Sequence, residues 1–243
     1  MRILIAGGSG DVGALVLPAL AAAHRVRVLD LRPPRLDVDY IQGSVTDPAA
    51  LDEAARDQEA LVYLAMGRKS GWRDGPEWAR SHFEVSVTGL YLTVEACAAA
   101  GVRHVVYGSS MSVFADYQSR DYTADPEPDA ADAYGLSKRL GEQVCAAAVA
   151  THGLSATALR LVGPMSDAEW HEQGVLPVMT AGSDVAAAFL AALDRRLPGF
   201  TAYTITGDHD GRVLDWSAAQ RDLGWRPRAR RVATAPTAPS SPA

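Results

Sequence analysis

The segment Ile3-Leu4-Ile5-Ala6-Gly7-Gly8-Ser9-Gly10-Asp11-Val12-Gly13 constrains the fold more than any other part of the chain, because an apolar run passes through a glycine turn straight into a helical pattern. Two glycine registers overlap in it. Gly8, Gly10 and Gly13 satisfy G-x-G-x-x-G, and Gly7, Gly10 and Gly13 satisfy the wider G-x-x-G-x-x-G spacing. Either brings backbone N–H groups at a helix N-terminus, Asp11 and Val12 among them, close to a diphosphate. Read alone, such a turn is equally a tight strand-to-helix connection that binds nothing. Asp30 tips the reading towards a dinucleotide: it closes the second apolar run 23 residues after Gly7, where a carboxylate accepts hydrogen bonds from both ribose hydroxyls and repels a 2′-phosphate. The pattern favours NAD, while Arg32, two positions on, leaves the phosphate of NADP open.

Short apolar runs then alternate with Ala-rich stretches of helical period, which predicts an α/β fold built on a doubly wound parallel sheet. Strands are expected at residues 2–6, 25–29, 40–41, 60–64, 104–107 and 155–159, and helices at 11–23, 48–57, 76–100, 134–151 and 183–193. The second helix carries Asp47 as its N-cap and Pro48 at its first position. Beyond Arg195 the pattern changes to a short strand at 201–206, a helix from about Asp215 and the run Asp222-Leu223-Gly224-Trp225-Arg226-Pro227. The expected organisation is a nucleotide-binding domain carrying the catalytic residues (1–195), a small C-terminal appendage (196–230) and a disordered tail (231–243) of Ala, Thr, Pro and Ser.

Composition narrows the partners. A net charge of -6 gives no electrostatic footprint for nucleic acid or an anionic membrane, partners that usually call for clustered Lys and Arg. The two cysteines, Cys97 and Cys145, each lie in an Ala-rich apolar stretch, so neither a disulfide framework nor zinc spacing is present, and no metal is assigned. The N-terminal apolar run ends at Gly7, too short for an export or membrane segment, and a cytoplasmic location is expected.

The chemistry is expected at Tyr134-Gly135-Leu136-Ser137-Lys138. One helical turn separates a phenol from an ammonium. A nearby cation favours the phenolate and lowers a tyrosine pKa from about 10, which suits Tyr134 to exchange a proton with the oxygen of a C–OH or C=O centre. Upstream, His104-Val105-Val106-Tyr107-Gly108-Ser109-Ser110 delivers hydroxyls at the carboxyl end of a strand, where open α/β sheets bind ligands, and Ser110 is the third candidate. Substrate candidates are Arg68 and Lys69 in the loop Met66-Gly67-Arg68-Lys69-Ser70-Gly71-Trp72-Arg73, as an anion site or simply a solvated loop, then Met111 after the serine strand, and Trp170 with His171 as lid or pocket residues.

Together these residues resemble the extended short-chain dehydrogenase/reductase family, also called the NAD-dependent epimerase/dehydratase family, from Met1 to about Pro227. The carriers are the glycine turn, Asp30, the stretch from Ser109 to Phe114, Tyr134 with Lys138, Arg160 to Pro164, and Leu223-Gly224-Trp225-Arg226-Pro227. The resemblance implies a Rossmann sheet and bound NAD, with Leu64, Ala65 and Val162 at the cofactor and Lys138 also on the nicotinamide ribose. It further implies a homodimer through the helices at 76–100 and 134–151.

Departures from the family pattern narrow the function further. Ser86 stands where members often carry the Asn of Asn-Val-x-Gly-Thr. Met111-Ser112 replaces the Asp-Glu pair of the dehydratases, and the short C-terminus would enclose a nucleotide-sugar poorly. The chain is most similar to short uronate-dehydrogenase-like members, although Met111 stands where those enzymes have Asn and residues 167–177 hold no arginine. The expected function is NAD-dependent hydride transfer at a hydroxyl or carbonyl carbon of a small sugar-like or sugar-acid substrate. The alternatives are an epimerase with tightly bound NAD, and a non-catalytic NAD-sensing protein.

Overall fold

In the computed structural model, residues 1–117, 127–172 and 174–230 are described. Seven strands, β1 (Arg2–Ala6), β2 (Arg25–Asp30), β3 (Asp39–Gln42), β4 (Ala60–Tyr63), β5 (His104–Ser110), β6 (Ser155–Leu161) and β7 (Phe200–Ile205), form one sheet in the order β3-β2-β1-β4-β5-β6-β7. Every pairing is parallel. The central strands β4 and β5 are buried along their whole length, as expected of strands covered on both faces.

Period-2 alternation divides the core into two layers. Ile3, Ile5, Val62, Val106 and Leu159 face one side with α1 (Asp11–Ala23) and α7 (Gly182–Asp194). Leu4, Ala6, Leu61, Tyr63, Val105 and Tyr107 face the other, with α2 (Pro48–Ala55), α4 (Leu90–Ala99) and α5 (Ala133–His152). The doubly wound Rossmann architecture read from the glycine turn is the one observed. Asp47 caps α2 as expected, accepting a hydrogen bond from Ala49 N at 3.0 Å. No helix among the described residues is long and apolar enough to cross a membrane.

Three elements differ from expectation. The strand placed in the C-terminal appendage is β7, the seventh strand of the main sheet, paired in register with β6 from Ala156 opposite Phe200 to Leu161 opposite Ile205. Without it the edge of β6 would be unpaired, and Tyr203 and Ile205 would lose their burial against the α1–α7 layer. The segment C-terminal to β7 is pinned to α7: the indole N–H of Trp225 donates to the Asp184 carbonyl at 3.0 Å, and the Asp184 carboxylate accepts from Arg228 N and Ala229 N. These bonds hold α8 (Ser217–Leu223) in place.

The helix expected at 76–100 is broken into α3 (Gly75–Phe83), a π-helical turn (Glu84–Gly89) and α4. Tyr63 supplies a reason, since its hydroxyl donates to the Val85 carbonyl at 2.6 Å and diverts that acceptor from the α-helical ladder. A short helix, α6 (Asp167–Trp170), was not expected; Ser166 and Glu169 form a capping box around it. The tail at 231–243 lies outside the described residues.

Candidate active site

The cofactor side is made mostly of backbone. Gly7 has φ +85°, a conformation that side chains disfavour, and a Cβ there would lie 2.3 Å from Ala65 N. The turn therefore presses directly on the segment after β4, which contains Leu64 and Ala65. Helix α1 begins at Asp11 with Gly10 as a cap that supplies no side-chain hydrogen bond, so the first-turn N–H groups of Asp11, Val12 and Gly13 stay approachable. A Cβ on Gly10 would touch only the Gly7 carbonyl, at 3.4 Å.

At the end of β2 the two Asp30 oxygens accept from Ser9 N at 2.9 Å and Arg32 N at 3.2 Å. These backbone bonds fix the carboxylate beside the turn and leave each oxygen further accepting capacity. An uncapped helix N-terminus beside an oriented carboxylate fits a dinucleotide, with diphosphate on the first and ribose on the second. The Arg32 side chain is exposed, and its carbonyl accepts from the Ser9 hydroxyl at 2.6 Å. Val162 is buried, with its N–H on the Ile205 carbonyl and its own carbonyl accepting from Thr180. It is thereby committed to the join between β6 and β7.

The catalytic candidates converge at the carboxyl end of β5. Asp132 caps α5, its Oδ1 accepting from Tyr134 N and Gly135 N at 3.2 Å each. A Cβ at Gly135 would lie 2.2 Å from the Ser112 carbonyl oxygen, so only glycine lets α5 start this close to the turn after β5. The contact puts the Tyr134 side chain in hydrogen-bonding reach of the Ser110 hydroxyl. Burial pushes the Tyr134 phenol above its ordinary value; the Ser110 hydrogen bond and the Arg73 charge pull the other way.

The hydrogen bond that the Lys138 ammonium makes is to the backbone of β5. The group is buried, donates to the Gly108 carbonyl at 2.8 Å and sits 5.1 Å from the Tyr107 ring centre. Burial lowers its pKa to about 8, against the opposing pull of Glu142 one turn further along α5. Glu142 is itself held by Arg160 through Nε at 2.9 Å and Nη2 at 2.8 Å, and by the Ser109 hydroxyl at 2.6 Å. Tyr134, Lys138 and Glu142 thus form an i, i+4, i+8 row whose third member was visible in the spacing but not singled out.

The substrate candidates fare unevenly. Met111 is 1% exposed and packs with Val113, Phe114 and Leu214, its sulfur accepting from Thr204 at 3.6 Å, so it is a core residue. Trp170 is 2% exposed and donates to the Met179 carbonyl at 2.7 Å; it anchors its loop and is no lid. Lys69 is ion-paired to Asp11 at the glycine turn. Arg68 remains exposed, with its backbone N on the Ser81 hydroxyl at 3.0 Å. Among the described residues no group of three or more His, Cys, Asp or Glu side chains is arranged to hold a metal.

Beside Tyr134 lies a cluster that no motif announced. Trp72 and His82 pack against its ring, with centres 5.0 and 5.5 Å away. His82 is fully buried; its Nε2 bonds to the Arg68 carbonyl at 3.3 Å and its Nδ1 has no hydrogen-bond partner among the described residues. Burial lowers its pKa from the ordinary histidine value. Ser86, in the π-helical turn, is also fully buried, and its hydroxyl has no partner among the described residues.

Comparison with known proteins is consistent with this geometry. The family model described as "NAD dependent epimerase/dehydratase family" matches residues 3–182. An L-arabinose 1-dehydrogenase (NAD(P)(+)) of Haloferax volcanii is 29% identical, with 93% of this chain and 96% of the relative aligned. A UDP-glucose 4-epimerase of Lactobacillus helveticus is 25% identical over 69% of this chain, and the match spans only 54% of that enzyme. Among solved structures, a short-chain dehydrogenase/reductase superfamily protein from Agrobacterium tumefaciens with bound NAD superposes with a TM-score of 0.80 at 19% identity, covering 95% of this chain and 93% of that one.

Proposed function

The chain belongs to the NAD-dependent epimerase/dehydratase family, and from that membership we propose that it is an NAD-dependent dehydrogenase of a small free sugar or sugar acid. The observation that carries the reading is the extent of the sequence matches: the arabinose dehydrogenase aligns over 96% of its length, whereas the alignment with the epimerase spans 54% of that enzyme. The described segment after β7 is pinned to α7 through Trp225, Arg228 and Ala229.

The glycine turn, Asp30, Leu64, Ala65 and Lys138 would hold NAD, whose nicotinamide accepts or returns the hydride when bound. Asp30 favours NAD over NADP by repelling a 2′-phosphate. Tyr134 exchanges the proton of the reacting oxygen at its Oη, and Ser110 holds both that oxygen and the phenol in line. Burial holds the phenol above its ordinary value, and the Ser110 hydrogen bond and the Arg73 charge pull it only part of the way back. Lys138 keeps the end of β5 and the catalytic helix at a fixed distance through the Gly108 carbonyl.

We further propose a cytoplasmic homodimer formed through α3, α4 and α5, which sedimentation would test. Cys97 and Cys145 are free and buried, in keeping with a reducing compartment.

The experiment is a screen of L-arabinose, D-xylose, D-galactose and D-glucuronate with NAD and NADP in parallel, read as absorbance at 340 nm. Net NADH from at least one sugar, with NAD preferred, is the expected result. Inversion of a sugar without net NADH would favour the epimerase reading instead.

A further inference from the structure

The loop between β4 and α3 sets a half-exposed tryptophan against the catalytic phenol. The Trp72 ring centre lies 5.0 Å from that of Tyr134, with the planes at 56°, while 49% of the residue remains exposed. Its back is stiff. Trp78, 4% exposed, meets it edge-on at 5.3 Å, and the fully buried His82 meets it at 6.1 Å; these two rings pack on each other at 4.1 Å.

The loop carrying Trp72 is tied at both ends. Arg68 is bonded through its backbone N to Ser81 and through its carbonyl to His82. Lys69 pairs with Asp11, and Arg73 reaches Asp132, the cap of the catalytic helix, at 3.7 Å. Lys69 and Arg73, on either side of Trp72, thus pair with opposite walls of the site.

A large aromatic side chain held rigidly beside a catalytic group, with its outer part in water, is the kind of apolar surface that ligands cover. The negative face of an indole attracts positively polarised groups. In a cyclic sugar, C–H bonds flanked by C–O bonds carry that polarity and line up on one face of the ring.

We propose that Trp72 is the platform on which the ring of a cyclic sugar substrate lies while one of its hydroxyls reaches Tyr134 and Ser110. The assignment rests on the sugar-dehydrogenase reading of the site.

The test compares wild type, Trp72→Ala and Trp72→Phe on the best sugar of that screen, with NADH affinity measured separately by fluorescence titration. Trp72→Ala is expected to raise KM by about tenfold, with a much smaller change in kcat and unchanged NADH affinity. Trp72→Phe, which keeps an aromatic face, should recover most of the loss and guards against a folding defect of the alanine variant.

An unchanged KM in an active Trp72→Ala enzyme would overturn the platform alone. A lowered KM would do the same, by showing that Trp72 obstructs entry. Loss of kcat and NADH affinity together, without rescue by phenylalanine, would assign Trp72 to the scaffold and also overturn the proposal. A wild-type enzyme that oxidises none of the sugars would instead overturn the dehydrogenase reading, and the platform with it.

Discussion

The two halves of the sheet's carboxyl edge offer a ligand different kinds of contact. On the β1–β2 side the contacts come from backbone N–H groups and one carboxylate that is itself held by backbone, in a turn where Gly7 adopts φ +85°. On the β4–β5 side they come from side chains: Ser110 from a strand, Tyr134 from a helix and Trp72 from a tethered loop. Backbone recognition demands particular residues at particular spacings. Side-chain recognition needs only that distant segments meet, and many sequences can arrange that.

The largest effect should fall on the β5 side. Tyr134→Phe removes the proton-exchanging Oη and should lower kcat by about a thousandfold while NADH still binds. Fluorescence titration of NADH beside steady-state kinetics would check it, and a parallel loss of NADH affinity would mean that the two halves are not separable.

The converse break is Gly7→Ala. It forces a positive φ and places a Cβ 2.3 Å from Ala65 N. Destabilisation of about 2–4 kcal/mol is expected in urea unfolding, accompanied by loss of NADH binding. Full retention of both would show that the turn is less tightly packed than the structure has it.

This contrast also explains how much of the molecule was legible in the sequence. The positions of the glycine turn, of Asp30 at the end of β2 and of Tyr134 and Lys138 one turn apart on α5 were readable because each is a local spacing that backbone geometry imposes. Trp72 and His82 were not, for they belong to a loop and to a helix whose approach to Tyr134 depends on the Arg73–Asp132 tether and on the π-helical turn. The hydroxyl of Tyr63, from another element, bonds to the Val85 carbonyl of that turn, and such a contact leaves no sign in the helical pattern of residues 76–100. Met111 and Trp170 misled for the opposite reason. Met111 lies directly after β5 and Trp170 in α6 of the segment that follows β6, on the edge where pockets form, and burial of the side chain is not encoded in that position. The strand β7 was read at nearly its true bounds but detached from the sheet, since a change in pattern after Arg195 resembles a domain boundary.

A smaller effect sharpens the comparison on the side of stability. The Lys138 ammonium is buried, with its pKa lowered from 10.5 to about 8, so below pH 8 the folded state bears the cost of a charge that the unfolded chain keeps in water. Between pH 8 and 10.5 the unfolded state binds the extra proton, and wild-type stability should rise with pH. Lys138→Met should therefore stabilise the fold by roughly 1–3 kcal/mol at pH 7, with the advantage shrinking above pH 8. Thermal unfolding of both proteins across pH 7 to 10 would check it, and destabilisation at pH 7 would show that the Gly108 hydrogen bond outweighs the buried charge.

The most direct test of the central claim is to follow a deuterium label from the oxidised carbon of the sugar. Wild-type enzyme with NAD and a C1-deuterated sugar of the panel should accumulate NADH carrying the deuterium at nicotinamide C4, in step with sugar consumed. Deuterium retained in an inverted sugar without net NADH, or released to water, would contradict a dehydrogenase.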